Sequence, residues 1–248
     1  MQHLPVLLGA GFVAGAMNAI AGGGSFVSFP ALLFAGVPAV AANASSTVAL
    51  WPGSLTSLYG YRGRILGLSG IPMPVLLAIS LAGGLVGALL LLFTPEGAFN
   101  AIVPWLLLLA TLTFAFGGRV GAALRRRVRI GAAPLLVIQF VLAVYGGYFG
   151  GAVGIMTLAV WNLLGTINLA AYNPLKVLVV SACNSVATLC FALSGVVWWP
   201  QTLAMLAAAA VGGYAGARLG RVMPPGLVRA TILVVSAGMT AVFFWRAF

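Results

Sequence analysis

The chain has 248 residues, of which 62% are hydrophobic and 5% are charged. Because a soluble surface needs far more charge, this composition excludes a soluble domain and predicts an all-α polytopic membrane protein. Twelve basic residues stand against one acid, Glu96, and one histidine, His3. One chain therefore lacks the groups for a metal site, a catalytic triad or a carboxylate pair, which argues against an enzyme and against a cofactor. The net charge of +11 is typical of cytoplasmic loops and lipid contact, and no basic stretch indicates nucleic acid.

The first half predicts five membrane elements in chain order. Residues 3–21 form a first helix, which ends at the glycine triplet 22–24. Residues 25–35 give about 16 Å of helix, half of a ~30 Å hydrocarbon core, so they cannot cross alone. The elbow at residues 36–42 is therefore expected at membrane depth. Longer helices are predicted at residues 43–61, 71–93 and 101–116, the first of them opened by Asn43.

The second half repeats this order, with predicted helices at residues 131–148, 155–164, 173–198, 202–219 and 228–245. A shift of 130 residues places Gly24 on Gly154, Asn43 on Asn173 and Ser46 on Lys176. We therefore expect a first membrane repeat at 1–118, a basic cytoplasmic linker at 119–130 and a second repeat at 131–248. Each repeat has four long helices or half-helices and one short broken or re-entrant helix. Glycine motifs at 83–87 and 212–216 predict closely packed helices.

The arginines predict the topology. Ten of the eleven lie in residues 62–64, 119–129 and 218–229, which places these loops in the cytoplasm. Five membrane elements per repeat then force the second repeat to run upside-down relative to the first. Inverted repeats of this kind place a substrate site near the midplane, between the halves.

The residue pair Asn173–Pro174 is a strong helix start, because asparagine is a favoured N-cap and proline fits the first helical position. Asn43 with Ser45 and Ser46 predicts the same start in the first half. Two helix N-termini facing each other would form an anion site, to which Lys176 adds a full charge. The predicted substrate-binding residues are Asn43, Ser45, Ser46, Asn173, Lys176 and Asn184, and the glycine breaks near them are Gly22, Gly23, Gly24, Gly150, Gly151 and Gly154.

Two of these assignments have plainer alternatives. The side chain of Lys176 could extend to the cytoplasmic interface, although an ionisable residue within a membrane helix is usually functional. Asn184 lies three helical turns after Asn173 on the same face, and it could instead form a hydrogen bond between helices. The glycines are expected mainly to break helices and to allow close backbone approach.

The glycine strings resemble a known family. Residues 14–24 (AGAMNAIAGGG), 30–33 and 36–38 are similar to the first-repeat signature of the sulfite exporter TauE/SafE family, also called toluenesulfonate uptake permeases (TSUP). Residues 147–151, 173–176, Asn184 and 195–198 are similar to its second-repeat signature. The resemblance implies a multi-pass protein of the bacterial inner membrane that moves sulfite, sulfonates or other sulfur-containing anions, mostly outward. Two departures are Ser45–Ser46, where many members have Thr–Asn, and fewer glycines at 151–154.

We therefore expect a secondary transporter that exports a small sulfur-containing inorganic or organic anion, such as sulfite, a sulfonate or a compound like sulfoacetate, by alternating access. A passive anion channel is the nearest alternative, and a non-transporting membrane assembly subunit is another. The expected partners are the anion and the lipid bilayer. The sequence leaves the oligomeric state open.

Overall fold

The computed structural model describes residues 3–21, 23–60, 65–68, 70–127, 130–164, 171–219 and 225–247. These residues form ten α-helices and one 3-10 turn, without a strand among them, so the all-α prediction is confirmed. The helices are α1 (Leu4–Ala21), α2 (Ser25–Phe34), α3 (Ala39–Gly60), α4 (Met73–Phe93), α5 (Glu96–Arg125), α6 (Ala132–Tyr148), α7 (Val153–Trp161), α8 (Asn173–Leu193), α9 (Trp199–Leu219) and α10 (Pro225–Ala247), with the 3-10 turn at Asn162–Leu164.

The helices have the lengths and surfaces of a membrane bundle. By length and composition, α4, α8 and the part of α5 at Glu96–Leu124 are apolar and long enough to cross a membrane. The two predicted short helices are present, since α2 has 10 residues and α7 has 9. Large apolar side chains such as Phe93 (82% exposed) and Trp245 (89% exposed) cover the outer surface, where lipid would contact them.

Two pairs of helices pack at glycines. Helix α4 lies along α6, where a Cβ built on Gly83 would lie 2.8 Å from the Phe140 carbonyl oxygen. Helix α1 lies along α9, where a Cβ on Gly216 would lie 2.6 Å from the Ala16 Cα. Only glycine allows this approach, and between lipid-facing helices close packing supplies the attraction. The predicted close contacts of both glycine motifs are confirmed. Each pair takes one helix from each half of the chain, so the halves interleave.

Helix α3 of the first half crosses helix α8 of the second half. The Trp51 Nε1 donates a hydrogen bond to the Ser185 Oγ at 2.8 Å. The Ser181 hydroxyl donates to the Ser54 carbonyl oxygen at 3.3 Å. Because the contact moves forward along α3 as it moves backward along α8, the two helices run antiparallel.

Helices α5 and α10 also run antiparallel. The Thr111 and Thr240 hydroxyl oxygens lie 3.1 Å apart, and the rings of Trp105 and Phe244 lie 5.1 Å apart, centroid to centroid. The repeat pairs α3 with α8 and α5 with α10, so opposite directions in both pairs are compatible with an inverted duplication. The inverted duplication and the repeat boundaries stay predictions.

Two predicted boundaries need correction. Helix α3 begins at Ala39, with the Ala42 amide donating to the Pro38 carbonyl at 2.7 Å, so Asn43 lies in its second turn rather than at its start. The chain from Pro38 to Asn43 contains only alanine and valine, which continue a helix without interruption. Helix α5 extends to Arg125, so the predicted linker 119–130 begins inside it. The predictions for Gly22, Arg62 and Arg64 lie outside the described residues.

The elbow between α2 and α3 has both exposed and buried residues. Gly36 and Pro38 are exposed, Phe34 is 61% exposed, and its ring contacts the ring of His3 at the start of α1. Because Val37 and residues 39–42 of the same elbow are buried, its exposed residues do not fix its depth, and the expectation that it lies at membrane depth stays a prediction. The described residues of the preceding glycine break, Gly23 and Gly24, are buried, so the chain reverses direction inside the bundle at the glycines.

Candidate functional site

The short helices α2 and α7 both begin inside the bundle. At the start of α2, a Cβ on Gly24 would lie 2.5 Å from the Ala14 carbonyl oxygen and 3.0 Å from the Asn18 Cβ, so α2 starts against the body of α1. Before α7, Gly150 and Ala152 have φ values of 82° and 60°, which turn the chain sharply after α6. An alanine with positive φ is uncommon and strained, and such residues concentrate at functional sites.

The start of α7 lies deep relative to its end. The Ile130 amide, just before α6, donates to the Leu163 carbonyl oxygen at 3.2 Å, which places the end of the α7 segment beside the start of α6. The first residue of α7, Val153, is therefore roughly 15 Å further into the bundle, given 1.5 Å of rise per residue. Its N-terminal amides face the interior of the protein.

Lys176, the only lysine of the chain, extends along the start of α7. A Cβ on Gly154 would lie 3.1 Å from its Cδ and 3.5 Å from its Cε. Its neighbours Leu175 and Val179 belong to the same buried cluster as Trp161, which lies about 10 Å further along α7. The lysine methylenes therefore run inward, from the level of Trp161 toward the beginning of α7. Among the described residues, Lys176 has no ion-pair partner.

The first amides of α7 add to this positive charge. The Ala152 carbonyl accepts from the Ile155 and Met156 amides at 3.0 and 3.2 Å, which begins the helix. The amides of Val153 and Gly154 precede these bonds, and they have no acceptor among the described residues. Free amides at a helix N-terminus carry a partial positive charge and bind anions. The ammonium-bearing chain and the helix N-terminus thus meet at one place.

The N-terminus of α3, in contrast, is already occupied by the single acid of the chain. The Glu96 carboxylate accepts from the Ala39 amide at 2.9 Å and from the Val40 amide at 3.1 Å. The prediction that α3 offers free amides to a substrate is therefore wrong. Sequence reasoning missed this cap because Glu96 lies 57 residues from Ala39 and belongs to a different turn.

The three first-half candidates are buried and bonded within the protein. The Asn43 Nδ2 donates to the Tyr148 carbonyl oxygen at 2.7 Å, at the end of α6. The Ser45 hydroxyl oxygen accepts from the Trp198 amide at 3.1 Å, and the Ser46 and Ser28 hydroxyl oxygens lie 2.6 Å apart. Each bond joins α3 to another element of the bundle, and the substrate-binding role of these three residues stays a prediction.

The second-half candidates are more accessible. Tyr172 is the N-cap of α8, so Asn173 is the first helical residue rather than the predicted cap, and both are partly buried. The Asn184 side chain is also partly buried and makes no hydrogen bond to the described residues. Its predicted alternative role, a hydrogen bond between helices, is therefore not observed.

The two predicted helix starts do not meet. From the Ser54–Ser181 contact, Asn43 lies 11 residues back along α3 and Asn173 lies 8 residues back along α8. Because these helices are antiparallel, the two asparagines are roughly 28 Å apart along the crossing. The expectation of two facing long-helix N-termini is wrong. The N-termini inside the bundle are those of the short helices α2 and α7.

Several buried polar residues were not found from the sequence. Trp161 donates to the Gln139 side chain at 3.1 Å, and Gln139 donates to the Ser80 hydroxyl at 3.3 Å, linking α7, α6 and α4. The buried Oγ1 atoms of Thr157 and Thr188 and the Oε1 of Gln201 have no hydrogen-bond partner in the described ranges of the chain. The described residues contain no cluster of three histidine, cysteine or acidic side chains that could hold a metal.

Known proteins were compared with the whole chain. The sequence profile of the family described as "Sulfite exporter TauE/SafE" matches residues 7–243. The chain belongs to the TauE/SafE sulfite exporter family. A "Probable membrane transporter protein" of Haemophilus influenzae is 33% identical over 96% of this chain and 93% of its own length. The "Probable membrane transporter protein YfcA" of Escherichia coli K12 is 31% identical over 96% and 89%. No solved structure matches the chain significantly.

Membership of the TauE/SafE family agrees with the composition and with the helices that are long enough to span a bilayer. The family and these relatives together indicate a membrane transporter. Within this TauE/SafE fold, the start of α7 and Lys176 form the candidate site.

Proposed function

We propose that this TauE/SafE protein is a secondary transporter that exports a small sulfur-containing anion across the bacterial inner membrane. The observation that carries the proposal is the position of Lys176, which extends inward to the start of α7 and has no ion-pair partner among the described residues. A charged group within a membrane helix is costly and is usually retained for function. An anion that binds there would supply the missing counter-charge.

The membrane potential is sufficient to drive export. Moving one negative charge out of a negative interior gains roughly 2.3 kcal/mol per 100 mV. A single chain with one acid, already bonded to backbone amides at the start of α3, has no other carboxylate for a proton relay. We therefore propose export coupled to the potential, or to a proton carried on the substrate.

Alternating access would use the interleaved halves. Helix α8, which carries Lys176, crosses α3 antiparallel, and side-chain hydrogen bonds from Trp51 and from Ser181 join the two helices. The same helix lies against α4, where a Cβ on Gly84 would be 2.9 Å from the Cys183 carbonyl oxygen. We propose that the close glycine contacts hold rigid units while the α3–α8 crossing changes during transport.

Purified protein in proteoliposomes tests this proposal. We expect saturable counterflow of labelled sulfite or sulfoacetate, and thermal stabilisation by some members of a panel of sulfite, thiosulfate, sulfonates, sulfoacetate and sulfate. Lys176→Met should remove both effects. Arg126→Met, which removes one charge from an exposed position after α5, is the matched control and should retain them.

The alternatives predict different results. A passive channel would give anion flux that follows the potential without counterflow. A non-transporting subunit would show neither flux nor anion stabilisation, and Lys176→Met would then behave as the wild type. Either result would overturn the proposed transporter.

A further inference from the structure

Thr157 is a polar side chain in an apolar place. It lies on α7, its side chain is fully buried, and its Oγ1 makes no hydrogen bond within the part of the chain that the structure describes. A buried hydroxyl without a partner loses its water without compensation, and the great majority of buried polar groups are satisfied. The two helical neighbours on its face are engaged, since Gly154 contacts Lys176 and Trp161 bonds Gln139.

Helix geometry gives the direction of the Thr157 side chain. Residues three and four apart share one face of a helix, so Thr157 follows Gly154 on the face toward Lys176. A Cα–Cβ bond in a helix tilts toward the N-terminus, and a side chain covers the turn that precedes it. The unpartnered hydroxyl is therefore aimed at the turn that contains Val153 and Gly154, beside the lysine chain.

We propose that the Thr157 hydroxyl is a direct ligand of the transported anion. With the Lys176 ammonium and the free amides of Val153 and Gly154, it completes a set of donors around the start of α7. This inference rests on the proposed function, and it adds a specificity-determining residue to it. Three kinds of donor from the two helices α7 and α8 suit an anion that offers several oxygens, and they suit a single-atom halide less well.

The other unpartnered side chains do not share this position. Thr188 lies twelve residues after Lys176 on α8, about 18 Å along the helix, and Gln201 lies on α9. In the first half, a shift of 130 places Val27 where the second half has Thr157, so that half has no hydroxyl there. Thr157 alone combines full burial, a missing partner and a cationic neighbour.

Equilibrium binding to the full-length purified protein tests the proposal, with sulfite and methanesulfonate as oxyanion probes and chloride as the halide probe. Thr157→Val keeps the shape and removes the hydroxyl, so we expect affinity for both oxyanions to fall at least tenfold, as loss of a hydrogen bond to a charged group does. Chloride affinity should change less. Thr157→Ser should bind within about twofold of wild type, because it restores the hydroxyl.

Thr188→Val is the matched control, since it removes the other unpartnered threonine hydroxyl, which is 6% exposed. Both valine variants should be at least as stable as wild type without ligand, but only Thr157→Val should lose oxyanion affinity. Wild-type affinity in Thr157→Val, or an equal loss in Thr188→Val, would overturn the role of Thr157. Thr157→Ala replaces the valine variant should that one fail to fold.

Different results would reject the proposed function and the role of Thr157. If Lys176→Met loses oxyanion binding while Thr157→Val retains it, the proposed function stands and Thr157 is a structural residue. If wild-type protein binds no oxyanion at all, the proposed function and the role of Thr157 fall together.

Discussion

The starts of α2 and α7 both lie inside the bundle, but different side chains lie beside them. Each follows a helix that is broken at glycines inside the bundle, and the sequence shift of 130 matches Gly24 to Gly154 and Ser46 to Lys176. In the first half, the Ser46 and Ser28 hydroxyls bond to each other, and Ser28 also bonds the Gly24 carbonyl at 3.2 Å. That position is therefore filled and neutral. In the second half, the lysine chain lies against Gly154 instead.

At the N-termini of the long helices α3 and α8, the charged side chain belongs to the first half instead. Glu96 occupies the N-terminus of α3, whereas the matching position in the second half is Gly226, which has no side chain to do the same for α8. The only acid of the sequence therefore caps a long helix of the first half, and the only lysine lies in the second half. The difference teaches that two halves with matching sequence patterns can carry different charges at matching positions. The following predictions test that asymmetry, from the largest expected effect to the smallest.

The glycine contacts should be equally critical in both halves. Gly87→Ala would push a Cβ against the Val144 carbonyl of α6, and Gly216→Ala would push one against Ala16 of α1. We expect each to destabilise the fold by about 3 kcal/mol, at the upper end for overpacking, because backbone cannot move aside. Fluorescence-detected size-exclusion chromatography after heating measures the loss.

Gly118→Ala, on the exposed face of α5 with no atom within 4 Å, is the control and should be neutral or slightly stabilising. A strong effect at the α4–α6 contact and none at the α1–α9 contact, or the reverse, would show that the two glycine contacts are not equivalent.

The difference in charge between the two halves should appear as a difference in anion affinity between matched variants. Lys176→Met is expected to reduce anion affinity at least a hundredfold, or about 2.7 kcal/mol, because it removes the only ammonium near the start of α7. Ser46→Ala, at the matched first-half position, should leave affinity within about twofold. Isothermal titration with sulfite compares the two. Equal losses would mean that both halves contact the anion, which would restore the symmetric site predicted from the sequence.

The Glu96 cap should contribute to stability rather than to binding. Glu96→Ala leaves the Ala39 and Val40 amides without their acceptor, and we expect a cost of about 1–2 kcal/mol, typical of a lost helix cap. Glu96→Gln keeps one acceptor oxygen and should lose less. Thermal unfolding measures both variants, and sulfite affinity should be unchanged. A binding defect larger than the stability defect would connect this end of α3 to the substrate.

The backbone before α7 should accept glycine. Ala152 has a φ of 60°, and the shift of 130 matches it to Gly22. Ala152→Gly removes the steric strain of a left-handed alanine, and we expect a gain of up to about 1 kcal/mol, limited by the greater freedom of unfolded glycine. A lower melting temperature would show that the methyl group, which is 5% exposed as part of the core, contributes more through packing.

Most of the fold was predictable because it depends on local patterns. Apolar runs define helices, and their lengths separated the short α2 and α7 from the others. Gly83 and Gly216 predicted close helix contacts because only small residues allow them. The start of α3 was not predictable from the same patterns, since alanine and valine before Asn43 continue a helix as readily as they precede one.

The candidate site was predicted only in part. Lys176 stood out because a lone lysine within an apolar membrane helix is costly and is usually functional, although extension to the cytoplasmic interface was a plainer alternative. Thr157 could have been noticed, since it is a polar residue on a short helix that begins at a glycine break. Its missing partner, however, is a property of the packing around it, and no spacing in the sequence reveals that.

The sequence by itself determined the membrane class, the helices, the glycine breaks and the family, because hydrophobic length and backbone freedom act over a few residues. Only the tertiary structure decided which helix ends meet. The antiparallel crossing of α3 and α8 separates Asn43 from Asn173, and Glu96 reaches Ala39 across 57 residues. Such contacts depend on how whole helices are oriented. The same holds for Lys176, whose position beside the start of α7 depends on how α7 and α8 pack together.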